Sequence, residues 1–135
     1  MNSVTIIKTL RILFGIHFLW NGLNYVFGFM EIPRPPAEMA NRLVDVMNES
    51  GIFWIAKGTE IVAGALLIAG QFVPLALLCA FVISVVIAYV DIVLTGRPLY
   101  AAIGLINLLF NGGLMLAYLK YYRPFLVRNS TPGVR

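Results

Sequence analysis

The chain holds one cysteine, Cys79, in 135 residues. A lone cysteine rules out an intrachain disulfide and a Cys-x-x-Cys redox pair. It lies in the run Leu77-Leu78-Cys79-Ala80-Phe81 and reads as a small buried apolar residue. Charge is scarce as well, at 12% of residues, about half of what a soluble domain carries. Ten Lys/Arg stand against six Asp/Glu, but no basic run interleaves with aromatics, so nucleic acid is not an expected partner. There is no Gly-rich phosphate loop, no serine-nucleophile motif and no His/Cys/carboxylate spacing suited to a metal. Inverted repeats of the transporter kind are also missing.

Hydrophobic residues are what the chain has in excess: 60% of the total, with a mean hydropathy of +0.87. A small fold has too little interior to hide that excess. Its solvent is therefore lipid. A bilayer core takes about 20 apolar residues as helix, and the sequence supplies four such stretches, at about 4–30, 52–70, 73–94 and 99–121. Pro74 suits a first helical turn. Gly70-Gln71-Phe72 and Thr95-Gly96-Arg97-Pro98 read as tight turns, and short connections make neighbouring helices antiparallel. The expected fold is all-α: an integral membrane four-helix up-down bundle forming one transmembrane domain over 1–135. The first span lacks a small-x-small cleavage site and carries His17, Asn21 and Asn24, so we read it as a span and not a removed signal peptide.

The first loop differs from the others. Ile32-Pro33-Arg34-Pro35-Pro36 cannot be helical throughout, because each proline restricts the residue before it. Residues 37–50 follow with Met39, Ala40, Leu43, Val46 and Met47 at helical spacing and charges on the other faces. This predicts a short amphipathic helix lying on the membrane or over the bundle mouth. Lys8, Arg11, Lys120, Arg123, Arg128 and Arg135 fall on one side of the bundle, the last three in a basic tail over 122–135. The other side mixes Arg34, Arg42, Lys57 and Arg97 with four acids. The bias predicts both termini in the cytoplasm.

Several polar residues fall within the spans, where an ionisable group costs about 2.5–3.5 kcal/mol on insertion scales. They are His17, Asn21, Asn24, Lys57, Glu60, Asp91, Asn107 and Asn111. Heights along the helices place them near the midplane and in the outer half of the bilayer. His17, Asn21 and Asn24 share a face, as do Lys57 with Glu60 and Asn107 with Asn111. Pointing inward, they make one cluster under the loop helix. As a ligand or proton-handling pocket, it has His17 exchanging a proton and Glu60 acting as acid or base. Lys57 contacts an anion, the asparagines bind a carbonyl or hydroxyl, and Trp20, Tyr25 or Trp54 form aromatic walls. The structural alternative is that the asparagines join helices through hydrogen bonds of roughly 0.6–2 kcal/mol. In that case Lys57 snorkels and pairs with Glu60, and Asp91 faces Arg97.

The chain resembles the DoxX family of small four-helix bacterial membrane proteins. The resemblance is carried by Arg11-Ile-Leu-Phe-Gly-Ile-His-Phe-Leu-Trp-Asn-Gly-Leu-Asn24, by Glu60 to Ala76 across the second turn, and by Tyr118-Leu-Lys-Tyr-Tyr-Arg-Pro-Phe125. It implies a multi-pass protein of the bacterial inner membrane. It also brings in quinone as a cofactor class, because relatives include the small subunit of a thiosulfate:quinone oxidoreductase and components of complexes that handle oxidative stress. No catalytic residue carries over. Three readings follow: a subunit or accessory partner of a membrane complex, with a membrane-protein partner or a second copy beside it; a quinone-binding oxidoreductase component; and a small proton-coupled exporter. The four-helix multidrug exporters have their membrane carboxylate in the first helix, whereas Glu60 lies in the second.

Overall fold

The computed structural model describes residues 2–126. Four helices are long and apolar enough to cross a membrane: Ser3–Phe27, Ile52–Ala69, Val73–Leu94 and Pro98–Ala117. In chain order the elements are α1 (Ser3–Phe27), α2 (Glu38–Glu49), α3 (Ile52–Ala69), α4 (Val73–Tyr89), a π-helical extension of α4 (Val90–Leu94), α5 (Pro98–Ala117), α6 (Leu119–Tyr122) and a 3-10 turn (Arg123–Phe125). Most of the basic tail, residues 127–135, falls outside the described residues.

Glycine fixes the core pairing. α1 packs chiefly on α3, where Gly15 and Gly22 meet Gly64 and the Lys57–Ile61 backbone. Gly64 lies so close that a Cβ there would stand 2.5 Å from the Leu19 nitrogen. Small residues let membrane helices approach this way and gain dispersion contacts. Phe14 and Phe18 then fill the centre against Leu67, Leu77 and Leu114, their rings 4.6 Å apart. α3 turns through Gly70, whose φ of 75° is left-handed, into α4, and α4 packs on α5. α1 and α5 touch far less, which leaves a seam open to lipid.

Two span ends depart from expectation, and the third span keeps its expected bounds but changes geometry in its last turn. The first span stops at Phe27 rather than near Met30, because Gly28 takes a left-handed cap at φ 64°. The third does not end as regular α-helix: its last turn widens to π, with the Thr95 amide and hydroxyl both donating to the Val90 carbonyl at 2.9 and 3.1 Å. The fourth breaks at Tyr118 (φ −102°, ψ 15°), and α6 bends over the start of α4. There the Tyr122 hydroxyl donates to the Pro74 carbonyl at 2.7 Å. Burial pushes the Tyr122 phenol up, which keeps it a donor.

α2 forms as the spacing predicts and is fastened to the bundle mouth. Tyr25 Oη donates to Asn48 Oδ1 at 2.7 Å, and Asn41 Nδ2 donates to the Pro35 carbonyl at 2.7 Å. Arg34 and Asp45 form an exposed ion pair at 3.4 Å. Cys79 is exposed on α4 and not buried, since it faces away from the glycine-packed centre.

Candidate functional site

Lys57 and Glu60 lie one turn apart on α3 and find each other inside the protein. Lys57 Nζ donates to Glu60 Oε1 at 3.0 Å and to Oε2 at 2.8 Å, with the side chains only 13% and 4% exposed. Each charge neutralises the other where neither has water, as such a pair must to be tolerated in hydrocarbon. The pair forms part of the wall of a cavity of about 640 Å³ between α2, α3 and α4. Leu43 and Met47 of α2 roof it, with Phe53, Ile83 and Val86 among the apolar walls. Asp91 lines the same cavity. The π turn carries Asp91 against Gly104, whose missing side chain leaves room for it: a Cβ there would meet the Asp91 Cβ at 2.8 Å. Asp91 therefore does not pair with Arg97; the ion pairs among the described residues involve Arg34, Arg42 and Lys57.

A second set of polar groups runs from the interior to the open seam. Asn111, fully buried, donates through Nδ2 to Ser84 Oγ at 3.2 Å. Ser84 Oγ donates to Asn107 Oδ1 at 2.9 Å. Asn107 Nδ2 then lies 3.4 Å from His17 Nε2. Asn21 Nδ2 donates to the His17 carbonyl at 2.8 Å and lies 3.3 Å from both ring nitrogens. His17 is exposed in a groove of about 400 Å³ between α1 and α5, beside Leu10, Leu13, Ile103 and Ile106. Asn111 Oδ1 is buried with no hydrogen-bond partner among the described residues. Ser84 is the member that sequence reasoning missed. Its signal was a single hydroxyl in the apolar run Val82-Ile83-Ser84-Val85-Val86.

The single inward cluster expected from helical heights is thus two sets. Lys57, Glu60 and Asp91 face the cavity under α2, whereas His17, Asn21, Asn107 and Asn111 belong to the α1–α5 side. Among the described residues no hydrogen bond joins them. Asn24 joins neither: its amide donates to the Met30 carbonyl at 3.0 Å and accepts from the Met30 amide at 2.7 Å, closing the turn after α1. The expected aromatic walls are elsewhere too. Trp20 stacks on Phe29, while Tyr25 packs edge-on to Trp54; Phe53 is the ring at the cavity, 5.4 Å from Lys57 Nζ. No trio of His, Cys, Asp or Glu among the described residues could hold a metal ion.

No curated protein and no solved structure matches this chain. The DoxX family model does, over residues 6–96. That stretch takes in the first three spans, the loop helix and the Lys57–Glu60 pair, about two thirds of the sequence. The chain belongs to the DoxX family and is an integral membrane protein with four spans.

Proposed function

We propose that this chain works as a subunit or accessory partner of a larger membrane complex. The open seam between α1 and α5 carries the reading. It presents the exposed His17 ring beside Asn107 in an otherwise aliphatic groove. A polar edge left to acyl tails is unfavourable. A neighbouring helix with one hydrogen-bonding side chain would cover both the ring and the aliphatic walls. A photocrosslinker at Ile106 is expected to give a protein adduct of one defined mass, lost on His17→Leu, whereas the same probe at Val93 gives none. Lipid adducts alone at both positions would overturn the assignment.

The cavity favours a second reading, compatible with the first: the subunit holds a lipid-soluble molecule with a polar ring, of the quinone class. About 640 Å³ of mostly apolar space is within the usual range for small-molecule sites, about 300–1,000 Å³. The ammonium of Lys57 supplies a donor for a carbonyl oxygen, and Leu43 and Met47 of α2 line the site beside it. Quinone is expected to copurify with the native chain and to be absent from the Lys57→Met/Glu60→Leu double variant. Equal content in both sinks this reading.

For orientation, we infer a bacterial inner-membrane protein with both termini in the cytoplasm, supported by the acid-free basic residues at that end. An N-terminal fluorescent reporter that fails to mature outside the cytoplasm should be bright. A dark reporter on an expressed, inserted protein reverses the topology.

A further inference from the structure

The groove at the opposite end of the bundle from α2 has no role in either reading above. The break at Tyr118 bends α6 across the start of α4 and leaves a cavity of about 590 Å³, lined by residues such as Leu75, Leu78, Leu116, Leu119, Tyr122 and Phe125. Leu116 and Phe125 are 70% and 82% exposed. Walls this apolar gain by contact with hydrocarbon and nothing else. Charge supplies the second half of the argument. Lys120 Nζ stands 4.8 Å from the ring centroid of Tyr121, itself a groove residue, and Arg123 opens the 3-10 turn that ends in Phe125. Neither cation has an ion pair among the described residues. No acidic side chain adjoins them in sequence: all six Asp and Glu lie between Glu31 and Asp91. An anionic group from outside the chain would complement both cations.

We propose that this groove is a binding site for an anionic phospholipid, with an acyl chain along Leu75, Leu78 and Leu116 and the phosphate held by Lys120 and Arg123. The proposal rests on neither the quinone reading nor the partner reading, and it holds for either orientation. Basic pockets at the ends of spans hold anionic headgroups through charge, while the apolar wall adds affinity only for a phosphate that carries an acyl chain.

The test is native mass spectrometry of the delipidated full chain in neutral detergent. Phosphatidylglycerol is titrated against phosphatidylcholine of the same chain length. Two cations, each contributing as near a charged surface, predict a preference of roughly 30-fold for the anionic lipid. Lys120→Ala/Arg123→Ala should bring the two lipids to parity with helix content unchanged, because both side chains are exposed. Leu116→Trp should weaken both lipids by filling the groove. Equal affinity in the native chain, an unchanged preference in the double variant, or displacement by inorganic phosphate overturns the proposal.

Discussion

Lys57→Met is expected to destabilise the protein by about 3–5 kcal/mol, because it strands the Glu60 carboxylate without its buried partner. Glu60 is only 3% exposed, and both its oxygens are satisfied by the one ammonium. With that ammonium gone, the carboxylate must take up a proton or draw water into the cavity. The Lys57→Met/Glu60→Leu double variant removes both charges at similar volume. It should return stability to within about 1 kcal/mol of native, since a buried ion pair and a well-packed apolar pair are commonly near-equivalent. Unfolding in mixed micelles measures both. The double variant then separates fold from function: if it is stable and still retains quinone, the ion pair serves packing alone. If the single variant is as stable as the native chain, the pair is not closed to water as described.

Much of this architecture was legible in the sequence, since hydrocarbon tolerates so few backbone arrangements. Four apolar stretches, the Gly70 turn and the amphipathic loop helix all follow from length, spacing and breakers. The Lys57–Glu60 pair follows from i, i+3 geometry on one helix. The division of the polar residues did not, because helical heights say nothing about rotation. Gly15, Gly22 and Gly64 set that rotation by drawing α1 onto α3, which leaves His17 on the α5 side. Ser84 escaped notice because one hydroxyl scarcely alters the hydropathy of its run, yet it links the side chains of Asn111 and Asn107. The π turn depends on where Thr95 sends its amide and hydroxyl, which residue propensity does not mark. Cys79 shows the same limit: in a span, apolar neighbours in sequence are compatible with either the core or the lipid.

Gly64→Ala is expected to cost about 3 kcal/mol, the upper end for overpacking, although alanine is the better helix former by about 1 kcal/mol. The added methyl would lie 2.7 Å from the Gly15 carbonyl oxygen and 2.9 Å from the Leu19 Cα. These are backbone atoms, so no rotamer change relieves the contact and α1 has to move. Gly58, on the same helix, has nothing within 4 Å of its added methyl. Gly58→Ala should therefore stabilise, by up to about 1 kcal/mol, through propensity alone. The opposite signs of two identical substitutions on α3 make the comparison independent of general effects of alanine. A movement of α1 also carries His17 away from Asn107, so Gly64→Ala should weaken the Ile106 crosslink while Gly58→Ala leaves it intact. If Gly64→Ala melts at or above the native temperature, the close approach of α1 and α3 is wrong. The placement of His17 at the seam, which depends on that approach, is then wrong as well.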